Sequence, residues 1–570
     1  MNLSFKRDPY ASELGIDPPF PKCDCLIRNP DTYPWHDYGY RAPRFHEFII
    51  YQFHFGVFYA IDEHVQDMRL QRRGRFLDLL DRIEYPRDLG VNAIQPLPIQ
   101  EFPTQSRLGY NGTDYFSPEM DYQVEDDAII QRYLDTANRL LTEHVQPTLS
   151  LEHLRAGPNQ LKCVVDICHL NGIAVIIDVV YNHAGGDFGD QSVYFMDRRV
   201  PATNNDSLYF TDRGWAGGLV FAYGVDEVRQ LLIDNARFLI EEYHVDGLRY
   251  DEVSVIDNHG GWFFFQDLTD TIRYHKPEAI QIAEYWNDWR WLAVTPTDDG
   301  LGCDAALTDG LRDRLREAIG QAATGRDAHV NLDPVRDGLY RPQNFPAAWR
   351  AVQCVENHDI VYADRPQHEW KPRIVNLADP RDRRSRYARS RARVATGLIL
   401  TAPGIPHIFM GQEILEDKNW SDNIEYFRNS LVWWDGLVLD RAMRDHHAFT
   451  RDLTWLRRHY LALSSESINV YHVHNDNRTI TFHRWFEGIG ADLVIVVSLN
   501  ESTYWRYTLG FPQAGRWHEI FNSDCYDQLP NPNVAGNGGA INAEGGPMHG
   551  LPASADIVIP ANSLLVFSRD

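Results

Sequence analysis

The chain is short of positive charge. Lys and Arg number 55 against 80 Asp and Glu, a formal net charge of -25 over 570 residues, and so acidic a surface repels phosphate backbones and anionic lipid headgroups. Nucleic acid and membrane surfaces are therefore excluded as partners, whereas a neutral polyhydroxylated substrate is not. Cysteine is scarce: seven residues, an odd number scattered along the chain, make no disulfide framework. Cys23 and Cys25 have no second pair with which to build a zinc site, and a reducing cytoplasm is the expected setting. There is no basic-then-apolar leader and no run of about 18 uncharged apolar residues able to span a bilayer. No Gly-x-Gly-x-x-Gly or P-loop follows the early strands, which removes a diphosphate-binding reading.

What is present is apolar and aromatic in quantity. A hydrophobic fraction of 44% suits a sizeable core, and the length allows roughly two to four domains. Fifteen Trp, 28 Tyr and 27 Phe include candidate platforms for amphipathic ligands, although most such rings belong to the core. Residues 1–45 form an aperiodic arm interrupted by Pro18, Pro19, Pro21, Pro30, Pro34 and Pro43. From residue 46 to about 460, helical stretches alternate with eight strand candidates centred near 51, 94, 177, 248, 282, 303, 353 and 408, the number and alternation of a (β/α)8 TIM barrel. Phe76 to Ile83 reads as a helix closed off by Pro86, 123–172 as two helical stretches broken around Pro147 and Pro158, 301–306 as the sixth strand, 308–320 as a helix and 325–346 as loop. Residues 184–225 are dense in Gly, Asp and aromatics and read as an excursion after the third strand. Over 461–570, β-formers cluster at 468–473, 479–485, 493–499 and 557–566, with a Gly-rich loop at 536–550, which reads as an antiparallel all-β domain.

Polar residues fall where the strands end. A helical stretch from 231 to 242 gives way to His244-Val-Asp-Gly-Leu-Arg-Tyr-Asp251, and a period of two sends Arg249 and Asp251 to one side. Asp178 interrupts an otherwise apolar run and is followed by Asn182 and His183, while Glu284 and the pair His358-Asp359 close two later strands. Each has an ordinary structural reading when taken singly: an edge salt bridge, a capping Asp, a satisfied buried His. Four such clusters in barrel order point instead to a catalytic mouth. Three convergent carboxylates repel one another and separate an acid from an ionised nucleophile, the division of labour that retaining glycosyl transfer needs. Arg249 would keep the nucleophile ionised, and His183 and His358 would donate to sugar hydroxyls. A two-metal hydrolase on Asp178, His183, His358 and Asp359 is the chemical rival, and it leaves a cation, Arg249, inside a metal cage.

With these residues in place the chain resembles the α-amylase superfamily of glycoside hydrolases and transglycosylases. The four family signatures are matched by Asp178-Val-Val-Tyr-Asn-His183, Gly247-Leu-Arg-Tyr-Asp251, Glu284 after Ile282-Ala283, and Glu356-Asn-His-Asp359. The resemblance implies Asp251 as nucleophile, Glu284 as general acid/base, Asp359 as the third carboxylate, and Tyr110, Asp178, His183, Arg249 and His358 as substrate-binding residues. It implies a (β/α)8 barrel with an excursion after strand 3 and a C-terminal β-sandwich. No cofactor is required; calcium is left open, with Asn182 matching one calcium-associated position. Ser254 and Val255 stand where typical α-amylases carry Lys-His, and His259-Gly260 and Tyr33-Pro-Trp-His-Asp37 are similar to glucan branching enzymes. Tyr181-Asn182 is more like the hydrolases, Tyr285-Trp286 after the acid is unusual for the family, and the N-terminal β-sandwich of branching enzymes is not expected. The expected activity is cleavage of α-1,4-glucosidic bonds in α-glucan or maltooligosaccharide with transfer to form α-1,6 branches. The alternatives are an α-amylase-type hydrolase and, from another class, a non-catalytic glucan-binding protein.

Overall fold

The protein is seen in a computed structural model that describes residues 7–15, 22–29, 32–103, 108–185, 207–363, 371–490 and 492–569. Eight parallel strands close a barrel in sequence order: β1 (Ile50–Phe53), β2 (Ala93–Pro96), β3 (Ala174–Val179), β4 (Gly247–Tyr250), β5 (Ile280–Ala283), β6 (Ala305–Leu307), β7 (Ala351–Gln353) and β8 (Ile405–Phe409). All eight lie near the positions expected from the sequence. Ile50, Ala93, Ile176, Ile282, Val352 and Ile405 pack together inside the barrel, while alternate residues such as Tyr51, Ile94, Ile177, Leu248 and Ile408 join the core beneath the helices. Burial on both faces is why these strands read as continuous apolar runs. Carrying the inward alternation two residues further gives Gln52, Gln95, Asp178, Arg249, Glu284 and His407, all buried. The barrel interior thus changes from aliphatic to polar at the C-terminal ends of its strands, where chemistry is placed in this architecture.

Several local expectations are corrected. Pro86 does not end a helix: Phe76–Arg82 is a 3-10 helix, and Pro86 sits in the first turn of the following α-helix Glu84–Leu89, where its missing N–H is no loss. That helix ends at Gly90, in the left-handed conformation with φ 91°. Pro158 likewise opens the helix Gly157–Leu170. The sixth strand begins at Ala305, not Leu301, because residues 290–294 form a 3-10 turn to which Leu301 and Cys303 bond back. The segment 325–346 contains the helix Asp333–Leu339, with proline again in its first turn. Of the excursion expected over 184–225, His183–Ala184, Gly218–Phe221 and Phe210–Trp215 form a small antiparallel sheet, and 186–206 lie outside the described residues.

The C-terminal region holds eight strands, β9 (Ile468–His474), β10 (Thr479–Arg484), β11 (Leu493–Ser498), β12 (Tyr504–Phe511), β13 (Gly515–Asn522), β14 (Ala540–Ala543), β15 (Ala553–Ile559) and β16 (Ser563–Ser568). A six-stranded sheet ordered β9-β10-β11-β16-β13-β14 faces the pair β12-β15, and every pairing is antiparallel. The run at 557–566 is therefore two strands, separated at Asn562 by a left-handed residue with φ 44°, and the 536–550 loop contains β14. Val494, Val496, Leu565 and Phe567 pack between the sheets with Leu509, Phe511 and Trp517. Their neighbours Ile495, Val497, Leu564 and Val566 belong to the barrel's own core.

Residues of the N-terminal arm are pinned to the barrel by buried polar contacts. Arg7 forms a bidentate ion pair with Asp114 at 2.8 and 2.9 Å, and Asp166 accepts from Tyr33 at 2.9 Å and from the His36 backbone at 2.9 Å. Pro18, Pro19, Pro21 and Pro30 lie outside the described residues. Below the barrel, Asp37 Oδ2 is 2.9 Å from both His169 Nδ1 and His244 Nδ1, and His169 Nε2 is 2.9 Å from Asp246. Tyr40 and Trp35 stack on these two rings with centroids 4.1 and 3.8 Å apart. Burial alone would lower the His169 pKa, but Asp246 and Asp37 outweigh it and raise it to about 9.

Two expectations follow from this packing. Because the folded pKa of His169 lies above its ordinary value, its contribution is fully present below about pH 6.5 and is lost as pH rises through about 9, a loss of roughly 3 kcal/mol; the thermal midpoint should fall over that window, and His169→Gln should flatten the dependence. Gly247 lies so close to β5 that an added Cβ would meet Ile280 O at 2.4 Å. Gly247→Ala should therefore force β4 and β5 apart and cost about 1–3 kcal/mol, read as a lower thermal midpoint.

Candidate active site

One guanidinium organises the mouth of the barrel. Asp178 and Arg249 are register partners on β3 and β4, so both point inward side by side. Arg249 Nη1 lies 2.7 Å from Asp178 Oδ1 and 2.8 Å from Asp251 Oδ1, and Nη2 lies 2.5 Å from Glu284 Oε2. Three carboxylates from three successive strand ends thus share one buried cation. Burial pushes Asp178 up, Arg249 pulls it back and Asp251 repels it, leaving a pKa of about 7. Asp251 is also raised, by burial first, with Arg249 and Asn182 opposing and Asp359 adding repulsion.

The loops after β4 and β5 are laced together around Asp251 and Glu284. Asn182 Nδ2 donates to Asp251 Oδ2 at 2.7 Å and to its carbonyl at 3.1 Å, so both Asp251 carboxylate oxygens accept a hydrogen bond. Glu252 takes a left-handed conformation with φ 38°, uncommon for a residue with a Cβ, and this turns its N–H onto Glu284 Oε2 at 3.2 Å. Its own carboxyl is raised to about 7 by burial and by Glu284 and Asp251. The Trp286 indole N–H donates to Glu284 Oε1 at 2.8 Å, and the Trp286 backbone N–H donates to Ser254 Oγ at 2.6 Å. Tyr285 OH donates to Asp257 at 2.6 Å.

On the opposite wall Tyr110 OH lies 2.9 Å from Asp178 Oδ2 and 2.8 Å from His358 Nε2, its ring nearly parallel to the imidazole at 11°. Burial holds His358 neutral, with a pKa of about 3. Its Nδ1 donates to Gln52 Oε1 at 3.1 Å, which leaves Nε2 as an acceptor. Tyr110 has one proton for two acceptors, so both bonds form together when Asp178 is protonated and donates to the phenol oxygen. His183 begins the excursion's sheet and is kept neutral by burial, its pKa lowered to about 4. Asp359 stands at the rim, its side chain 60% exposed. Tyr110, His183, Asp251, Glu284, His358 and Asp359 line one open cavity of about 440 Å³.

Residues 470–570 match the family described as "Alpha amylase, C-terminal all-beta domain". The chain is 25% identical over 618 aligned positions to the 1,4-alpha-glucan branching enzyme of Synechococcus sp. (strain CC9311), covering 99% of this chain and 72% of that one. It is 27% identical over 604 positions to the branching enzyme of Gloeobacter violaceus, with the same 99% and 72% coverage. The α-amylase of Geobacillus thermoleovorans, solved with acarbose, shares the fold with a TM-score of 0.66 at 19% identity, over 93% of this chain and 99% of the other.

Over nearly its whole length the chain is thus similar to enzymes of the α-amylase superfamily. The polar layer is deeper than the strand-end motifs indicate. Gln52, Gln95 and His407 occupy the same inward rank as Asp178, and His407 is held neutral by burial, with a pKa of about 3. The signal that singled out Asp178, one polar residue inside an apolar strand, was equally present at these three. Nothing in the sequence marks the left-handed backbone at Glu252 or the turn that brings Trp286 onto Glu284. Asn182, the calcium-associated position, has its amide on Asp251 and its Oδ1 against His183 Nδ1. Among the described residues no group of three His, Cys, Asp or Glu side chains is arranged to hold a metal ion. Asn182→Ala removes a donor from Asp251 and should raise that carboxyl further, so the acidic limb of the pH–activity profile is expected to move up by about one unit.

Proposed function

We propose that the protein is a retaining α-glucan-active enzyme of the 1,4-α-glucan branching type, cleaving α-1,4 bonds and transferring the released chain to a glucan 6-hydroxyl. The observation that carries the reading is the Arg249 hub, which presents Asp251 and Glu284 from adjacent strand ends to one cleft. Similarity to branching enzymes over nearly the whole chain supports the transfer outcome. The substrate is an α-glucan or maltooligosaccharide. Seven unpaired thiols support a reducing, cytoplasmic setting, and among the described residues no helix is long and apolar enough to cross a membrane.

In this reading Asp251 attacks the anomeric carbon as Glu284 gives its proton to the departing glycosidic oxygen, leaving a glycosyl ester on Asp251. Ionised Glu284 then takes the proton of the incoming hydroxyl, whose oxygen bonds the anomeric carbon while the ester electrons return to Asp251. Arg249 stays bonded to Asp251 and compensates its changing charge. Asp359 at the rim steadies the oxocarbenium-like state, and Tyr110, His183, Asp178 and His358 hold the sugar at the cleavage point. Water competes with the 6-hydroxyl for the same ester, and hydrolysis is the outcome when it wins.

Asp251→Asn and Glu284→Gln should each lower turnover on amylose by orders of magnitude, on the order of 10³-fold or more, without loss of fold; near-normal activity in either variant sinks the assignment. Incubation with amylose, followed by counting of α-1,6 linkages against new reducing ends, should yield branches in excess. Reducing ends without branches would make the protein a hydrolase.

A further inference from the structure

The catalytic cavity has a fourth carboxyl. Besides Asp251, Glu284 and Asp359 its wall includes Glu252, which the proposed reaction leaves without a part. The backbone of Glu252 is held on both sides: its N–H donates to Glu284 Oε2 at 3.2 Å, its carbonyl accepts from Val255 N at 2.8 Å, and the next N–H, of Val253, donates to the Glu284 carbonyl at 2.8 Å. Its side chain is not held. Glu252 is partly exposed, and among the described residues its carboxyl accepts no hydrogen bond and joins no ion pair. This placement is kept at a cost, because φ 38° lies in the left-handed region, where glycine would sit without strain. Strained residues of this kind persist where the surrounding structure over-determines them, and they collect at functional sites.

The charges facing Glu252 come from the strand ends that meet there. Burial raises its carboxyl most, Glu284 and Asp251 repel it, Asp359 adds to them from the rim, and Arg249 opposes them while bonded to three other carboxylates. His183 and His358, on the same cavity, are held neutral by burial and bring no charge. The carboxyl therefore stands at about 7, neutral on the acid side of that value and ionised on the alkaline side. The two forms offer a ligand different things: a neutral carboxyl presents an O–H donor, whereas a carboxylate only accepts and is strongly hydrated. In the proposed glycosyl-enzyme Asp251 is an uncharged ester and Glu284 is ionised. Of the two repulsions on Glu252, that of Glu284 is the larger, so the carboxyl stays raised at the stage where the acceptor is chosen.

We propose that Glu252 is a specificity-determining residue that decides whether a saccharide or water takes the glycosyl group from Asp251. The proposal rests on the transglycosylase reading above. As a neutral acid Glu252 donates to an oxygen of the arriving saccharide and steadies it beside the ester. As a carboxylate it holds a water molecule there instead. Either acceptor then follows the same course: its oxygen bonds the anomeric carbon, its proton passes to Glu284, and the ester electrons return to Asp251. Glu252 itself neither gains nor loses a proton in the step.

The test uses the full chain with amylose as donor and a fluorescent maltohexaose as acceptor at fixed concentration, counting new reducing ends against labelled transfer products on either side of about pH 7. Both routes leave from one ester and both use Glu284 as base, so their ratio is blind to how fast the ester forms, and a merely structural loss does not move it. Hydrolysis relative to transfer should rise by about tenfold from the acid to the alkaline side, the worth of one hydrogen bond at a charged group. Glu252→Gln keeps a donor and cannot ionise, so its ratio should stay near the acid-side value at every pH. Glu252→Gly keeps the left-handed turn and its backbone N–H; it should fold with a thermal midpoint close to wild type and also lose the pH dependence. A wild-type ratio that does not move with pH, or one that moves equally in Glu252→Gln, would overturn the proposal alone. Reducing ends without labelled product at any pH would instead defeat the transglycosylase reading, and the proposal with it.

Discussion

A buried guanidinium surrounded by more negative charge than it can neutralise is the constraint on which the rest depends. Arg249 is fully buried and bonded to Asp178, Asp251 and Glu284 at once. Removing ions from water is costly, and each partner is tolerated only because the others are present. Burial first, and then repulsion from a neighbouring carboxylate, raises the pKa values of Asp178 and Asp251 against the pull of Arg249. Such a site gains by shedding negative charge, and forming a neutral ester on Asp251 would do that. The geometry that makes the ground state electrostatically crowded is the geometry that favours the proposed intermediate.

The surrounding polar contacts hold this crowding in place. Asn182 fixes one oxygen of Asp251, Glu252 N–H and Trp286 fix Glu284, and Tyr110 with His358 and Gln52 fixes Asp178 from the other wall. Most of these groups come from strand ends or the first residues beyond them, so their precision is inherited from barrel register. At the other end of the same barrel, Asp37, His169 and Asp246 form a second buried ionic group that ties the arm to the base of β4. The strand carrying Arg249 is therefore anchored by charge at one end and does its work by charge at the other.

The barrel was legible because parallel strands buried on both faces are apolar without interruption, and because polar residues at their ends break that pattern where it matters. Asp178, Arg249, Glu284 and His358 were readable for that reason. Elements whose form depends on proline position were misread, since Pro86 and the proline of Asp333–Leu339 lie in the first turns of helices in which their missing N–H costs nothing. Gln52, Gln95 and His407 carried the same signal as Asp178 but lay in strands without a neighbouring motif. Glu252 was not singled out, and Trp286 was noted only as unusual after the acid, because their contacts come from backbone conformation and from the meeting of two loops.

Strand β11 has a consequence for the unity of the molecule. Val494 and Val496 face the interior of the sandwich, whereas Ile495 and Val497 are continuous with the core under the barrel helices. An added methyl at Gly397, on the helix Arg386–Thr401, would meet Leu564 Cδ1 at 2.8 Å, which shows how closely the two layers approach. The C-terminal sandwich is thus not an appended module riding on a finished enzyme. Deleting it would strip a hydrophobic wall from the barrel and leave that helix, which leads into β8, facing water along its apolar side.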